Sequence, residues 1–153
     1  MEHEYVRELD GRPPLEARGF ELRPPRPTDA GALYDVYKDA FSTRTSALLD
    51  GPTWIAKWLL DPHCALRLSA IAFSGTLAIG YLLSDLDEAR PGEGTIAQMG
   101  VRVEHRRNGA GRALIPHALD AFAREGLSLA RLRVAPDNEN AIRLYERLGF
   151  RRR

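Results

Sequence analysis

The run Arg106-Arg107-Asn108-Gly109-Ala110-Gly111-Arg112 carries the plainest chemical signal in the sequence. It follows residues 95–103, which read as a strand, and it opens a helical pattern over 109–125 that Gly126 closes. Gly109 and Gly111 have no Cβ, so backbone amides there can approach a bulky anion closely. The first amides of a helix lack internal partners and carry the positive end of its dipole. A strand, a glycine-rich turn and a helix in that order therefore suit a pyrophosphate. Arg106, Arg107 or Arg112 would add charge-assisted hydrogen bonds. The competing reading is a glycine turn with solvated arginines, which for an isolated G-x-G is the commoner outcome. Two other nucleotide sites fit worse. No G-x-x-x-x-G-K-[ST] is present, and position 114 is leucine where G-x-G-x-x-G requires its third glycine.

The elements that must position this turn can be read along the chain. Residues 1–18 are polar, hold Pro13 and Pro14, and read as a flexible arm or an added edge segment, with a single domain over 19–153. Residues 19–23 suggest a short strand, ended by the prolines of 24–27. Thr28 is suited to cap a helix whose Ala32, Leu33, Val36, Tyr37, Ala40 and Phe41 recur at helical spacing. A second short helix is expected over 52–60, with Trp54 and Trp58 one turn apart and read as core packing. Strands are expected at 66–73, 77–83, 95–103 and 129–134, with an acidic loop at 85–94. The helix over 109–125 directs Ala110, Leu114, Ala118, Ala121 and Phe122 inward, and Pro116 inside it should bend it locally. Asp137 or Asn138 caps a last helix that Gly149 ends. This order predicts an α+β fold with a mixed, mostly antiparallel central sheet flanked by helices.

Composition narrows the function classes. The chain has 153 residues, 44% hydrophobic and 28% charged, which suits one globular domain. Its formal charge of +1 gives no global field for nucleic acid. Cys64 is the only cysteine, so neither an internal disulfide nor a zinc framework is expected. There is no signal-peptide core and no apolar run of the ~20 residues that span a bilayer, so the default expectation is a cytoplasmic protein without a membrane or metal.

At this point the sequence resembles a family. The run from Arg106 to Gly111 matches the R/Q-x-x-G-x-G/A motif of the GNAT superfamily of acyl-CoA-dependent N-acetyltransferases. Met99-Gly100-Val101 sits where that family has its apolar strand. Asn138-Glu139-Asn140-Ala141-Ile142-Arg143-Leu144-Tyr145-Glu146-Arg147-Leu148-Gly149-Phe150 looks like the family's N-x-x-A-I-x-L-Y-E-x-L-G-F helix. Within the superfamily the chain looks closest to the group that includes mycothiol-synthase-like acetyltransferases. The resemblance implies acetyl-CoA as cofactor, with the backbone of Met99, Gly100 and Val101 pairing with the pantetheine arm. It implies that Arg106, Arg107, Asn108, Gly109, Ala110, Gly111 and Arg112 hold the pyrophosphate, with Asn138 near the arm and Tyr145 by the thioester sulfur.

The implied reaction is direct attack by a primary amine, of a small molecule or a protein, in a ternary complex. Tyr145 would give a proton to the departing thiolate; the alternative for Tyr145 is packing, because Ile142, Tyr145 and Leu148 are spaced to face one core. Glu93, at the start of the central strand, is the candidate base, with an ordinary loop carboxylate as its alternative. Thr95 and Arg133 occupy places where other members carry glutamates. The acids Asp85, Asp87 and Glu88 read as a solvated loop, and His105 and His117 receive no role. The family continues past G-F with further strands, whereas only Arg151–Arg153 follow Phe150 here, so the C-terminal strands are expected to be missing. The open sheet edge this leaves predicts a homodimer or strand donation, with residues 1–18 as one donor. A non-catalytic acyl-CoA-binding module is the alternative function. A nucleic-acid binder using the arginine clusters is disfavoured by the near-zero charge.

Overall fold

Nine residues of β5 and six of β6 determine where this protein can bind anything, because the two strands start side by side and then part. The computed structural model of the chain describes residues 1–10, 19–42 and 47–153. Its elements are β1 (His3–Glu8), β2 (Glu21–Arg23), α1 (Ala30–Ala40), α2 (Gly51–Trp54, continued by a π-helical turn over Ile55–Leu59) and β3 (Ala70–Ser74). They are followed by β4 (Leu77–Leu86), β5 (Glu93–Val101), α3 (Ala110–Arg124), β6 (Leu129–Val134), α4 (Glu139–Arg147) and β7 (Arg151–Arg152). The sheet order is β2-β3-β4-β5-β6-β1-β7. Only β5 and β6 run parallel; every other neighbouring pair is antiparallel.

Two apolar cores form, one on each face. Leu114, Ile115, Ala118 and Phe122 of α3 pack with Ile79, Leu82, Ile96 and Leu132 of the sheet. On the opposite face Leu33 and Val36 of α1 and Trp54 of α2 pack with Tyr81 and Leu83. Trp54 is fully buried, in agreement with its reading as a core residue.

The edge beside β6 is filled from within the chain. All six residues of β1 pair with β6, Glu4 opposite Arg133 and Val6 opposite Arg131. The two-residue β7 then pairs with β1, and the Arg153 amide donates to the Glu4 carbonyl at 3.0 Å. The gap that prompted the expectation of a dimer is thus occupied by His3–Glu8; the rest of the predicted arm, 11–18, lies outside the described residues. The sheet edges are the short strands β2 and β7, and short edges limit unwanted strand addition.

Several local expectations need correction. Residues 66–68 form a 3-10 turn rather than the start of a strand, because Ser69 and Ser84 tie that segment to β4: Ser84 Oγ donates to the Leu68 carbonyl and the Ser84 amide donates to Ser69 Oγ. Thr28 does not cap α1. It lies in a 3-10 turn, Pro27–Asp29, where Asp29 accepts from the Arg26 amide and takes two bonds from Arg23 at 2.7 and 2.9 Å. That pairing holds the Asp29 carboxyl below the usual aspartate range.

Candidate active site

The bulge in β5 creates the site. Leu83 faces Gln98 and Ser84 faces Ile96, so Ala97 is an extra residue on β5. Before it, Gly94 and Ile96 face α3: a Cβ on Gly94 would lie 2.7 Å from the Phe122 ring, and Ile96 belongs to the α3 core. After it the alternation is reversed. Met99 and Val101 now face α3 and α4, while Gly100 faces α1 and α2, its missing Cβ leaving room for the Tyr81 ring 2.9 Å away.

Past the bulge β5 and β6 separate. Their pairing ends at Ile96 and Leu132, although β5 continues to Val101 and β6 to Val134. The Arg102 amide donates to the Ile79 carbonyl at 2.8 Å. Hydrogen-bonded pairs alternate along an antiparallel ladder, so Gly100 bonds to β4, while the N–H and C=O of Met99 and Val101 point into the gap. This is an open strand edge inside the molecule.

The glycine turn closes the mouth of the gap. Gly109 adopts φ +85° at the N-cap of α3, a conformation that costs glycine little. The amides of Arg107, Gly109, Ala110, Gly111 and Arg112 have no protein acceptor among the described residues. A Cβ on Gly111 would lie 3.3 Å from Leu144 Cδ2, so glycine lets α3 and α4 meet beside the turn. Arg106 lines the cleft and also ties the turn to its surroundings. Its Nε donates to the Val101 carbonyl at 3.4 Å and its Nη2 to the Ala40 carbonyl, which bolts the turn to the end of α1. Arg107, Arg112 and Arg147 form no ion pair among the described residues, and all three line the cleft.

That cleft measures about 1140 Å³. Every residue expected to hold the cofactor lines it except Ala110, which is buried under it. Ala40, Phe41, Asn140, Ala141, Leu144 and Arg147 complete the lining. The spacing of α4 could have revealed Ala141 and Leu144, which fall on one face with Asn138. Asn138 caps α4, its Oδ1 accepting from the Ala141 amide at 3.3 Å.

The two predicted catalytic residues do not meet. Tyr145 is half-buried on α4, its ring centroid 6.0 Å from that of Phe150, and burial pushes its phenol pKa up. It packs against the α3 core together with Ile142 and Leu148. Glu93 lies at the closed end of the β5–β6 pair, opposite Leu129. It is six residues from Met99, about 20 Å along a strand, and its carboxylate pairs with Arg90 at 3.5 Å and Arg153 at 3.4 Å. The structure thus does not bring Glu93 to the cleft. Thr95, where family members carry a glutamate, accepts at 3.3 Å from Arg131, whose Nε donates to Glu4 at 3.0 Å. Asp85 is not part of a solvated loop as expected: it lies at the end of β4, bridged to Cys64, and burial raises its carboxyl. Burial, with Asp85 and Asp61 nearby, pushes the Cys64 thiol up to about 11.

The sequence pattern described as the acetyltransferase (GNAT) family matches residues 31–150. The chain belongs to this family. Among curated relatives, [ribosomal protein bS18]-alanine N-acetyltransferase of Escherichia coli K12 is 40% identical over 58 residues, 38% of this chain and 39% of that protein. Mycothiol acetyltransferase of Kocuria rhizophila is 42% identical over 62 residues, 40% of this chain and 20% of that protein. L-2,4-diaminobutyric acid acetyltransferase of Nocardia farcinica is 28% identical over 131 residues, 86% of this chain and 64% of that protein. The matched segments therefore cover well under half of the first relatives' own length. Among solved structures, a GCN5-related N-acetyltransferase from Sphaerobacter thermophilus superposes with a TM-score of 0.79 at 25% identity, covering 99% of this chain and 48% of that one. Among the described residues this GNAT fold carries seven strands in one mixed sheet. Among the described residues, no helix is long and apolar enough to cross a membrane.

Proposed function

We propose that the chain is an acetyl-CoA-dependent N-acetyltransferase that passes an acetyl group directly to a primary amine. The observation that carries this reading is the open edge of β5 at Met99 and Val101, with the unpaired amides of residues 109–112 at its mouth. The two features suit the two ends of coenzyme A. An amide-bearing pantetheine arm could pair with the strand edge as an added strand would. A pyrophosphate suits the free amides of the turn and the unpaired guanidiniums of Arg107, Arg112 and Arg147, and hydrogen bonds to charged groups contribute about 1.5–3 kcal/mol each. Two family structures point the same way: the NatC complex and the Paenibacillus lautus diaminobutyrate acetyltransferase were both solved with coenzyme A.

The bound thioester supplies an activated acyl carbon. The chain's own residues would do the rest. The Met99 amide would donate to the thioester oxygen as charge develops there, and a preorganised donor of this kind commonly contributes a large part of the rate. Tyr145 would hold a proton for the departing sulfur; a phenol is protonated at neutral pH, and burial moves it further that way. With Thr95 in the glutamate position and Glu93 at the closed end of the strand pair, no carboxylate is assigned as a direct base, and the amine would lose its proton to solvent.

Thr95 is also the residue that favours the alternative, a module that binds acyl-CoA without turnover. A panel of primary amines tested with acetyl-CoA separates the two. Thiol release that depends on the amine is expected. Tight acetyl-CoA binding with no amine-dependent release across the panel would leave only the binding module.

A further inference from the structure

The bulge at Ala97 also decides the fate of Gln98. In a regular strand Gln98 would share the α3 face with Ile96. The extra residue turns it toward α1 and α2, where its Oε1 accepts from Trp54 Nε1 at 3.2 Å and from the Tyr81 hydroxyl at 2.7 Å. An indole N–H can only donate, so the amide oxygen must face Trp54 and the Nε2 group must face away. Nε2 then carries two N–H donors with no acceptor among the described residues. It is not a buried orphan either. Among the described residues, only Glu93 Oε2 and His105 Nδ1 are buried side-chain polar atoms without a hydrogen bond.

Both residues that hold Gln98 are fully buried, so the amide is fixed rather than free to turn. It stands one residue before Met99, whose backbone faces the gap, and on the opposite face from the α3 and α4 side chains that line the cleft. An acceptor amine must approach the thioester on a side the cofactor does not fill, and Gln98 is a polar group fixed on that face. A pair of N–H donors attracts an oxygen and repels an ammonium. Arg131, 8% exposed, lies on the same face beside Thr95, its charge paired with Glu4 at 3.0 Å.

We propose that Gln98 Nε2 donates to a carbonyl oxygen on the carbon next to the acceptor's amine, so that the chain selects α-amino carbonyl compounds over plain alkylamines. This rests on the acetyltransferase reading above. An alkylamine would put hydrocarbon against two fixed donors and leave them unpaired, and sites built around a substrate hydrogen bond reject the analogue that lacks it.

The test compares kcat/KM for glycinamide and for propylamine in the parent and in Gln98→Glu. That variant keeps the acceptor oxygen for Trp54 and Tyr81 but removes both outward donors; Gln98→Met serves as a second variant. Comparing the ratio between proteins cancels the different basicities of the amines. The glycinamide-to-propylamine ratio is expected to fall at least tenfold in both variants, with acetyl-CoA affinity within twofold of the parent. A parallel arm with glycine separates a free amino acid from a peptide terminus as the source of the carbonyl. If acetyl-CoA binds but the ratio is unchanged, or neither amine is used, the inference is overturned and the cofactor site stands. If the parent does not bind acetyl-CoA, the acetyltransferase reading itself has failed.

Discussion

Replacing Tyr145 by phenylalanine separates chemistry from packing at one atom. The Tyr145 ring packs against Phe150 at 6.0 Å between centroids and against the α3 core, and phenylalanine retains those contacts. The hydroxyl has no hydrogen-bond partner among the described residues, so its removal breaks none of their bonds. Stability should therefore stay within about 0.5 kcal/mol of the parent. Turnover should not, because positioned proton transfer is worth about 10²–10⁴-fold, a rise of roughly 2.7–5.4 kcal/mol in the barrier. The assay is thiol release at saturating acetyl-CoA and amine, with acetyl-CoA affinity and urea unfolding measured in parallel. A large fall in kcat with unchanged affinity and stability is expected. Burial raises the phenol pKa above its usual value of 10.0, so the parent should show no alkaline loss of activity from this group below pH 10. A kcat within about threefold of the parent would show that Tyr145 only packs.

Two further outcomes test the frame around the site. Gly94→Ala places a Cβ 2.7 Å from the buried Phe122 ring; overpacking of this kind costs about 1–3 kcal/mol, and a urea midpoint equal to the parent's would contradict the packing described. Asp29 has a folded pKa below the usual 3.8, chiefly through its hydrogen bond with Arg23. Its contribution to stability is therefore complete above that value and lost as pH falls through the folded pKa. Asp29→Asn should flatten the acid limb of the stability curve, and an unchanged limb would contradict the pairing.

Much of this molecule can be read from its residues, and the limits are physical. The turn of residues 106–112 was legible because glycine spacing and arginines act locally, and ten of the eleven residues predicted to hold the cofactor line one cleft. The α4 motif was legible for the same reason, since one helix face carries Asn138, Ala141 and Leu144. The bulge at Ala97 was not, because an extra residue in a strand leaves no mark in composition, yet it decides which way Gln98 and Met99 point. Glu93 was misplaced as a base because sequence distance along β5 says nothing about where β6 parts from it. The role of Arg106 depended on the Ala40 carbonyl, 66 residues away. The pairing of β1 with β6 joins residues as far apart as Glu4 and Arg133; the open edge in the sequence pattern pointed to strand donation by residues 1–18, but the register is set by the tertiary fold.

The central claim is that the turn and the open β5 edge hold coenzyme A, and titration calorimetry of acetyl-CoA into the parent and into Gly111→Glu tests it most directly. The substitution sets a carboxylate among the free amides. At about 5 Å from a pyrophosphate, each pair of unit charges costs roughly 0.8–3.3 kcal/mol for effective dielectric constants of about 80 to 20. Gly111→Ala is the steric control, since its Cβ meets only side-chain ends, Leu144 Cδ2 at 3.3 Å and Met99 Cε at 3.8 Å. Saturable binding by the parent, near-parent binding by the alanine variant and at least a tenfold weaker affinity for the glutamate variant are predicted. Equal affinities for parent and glutamate variant, or no binding by the folded parent, would contradict the account.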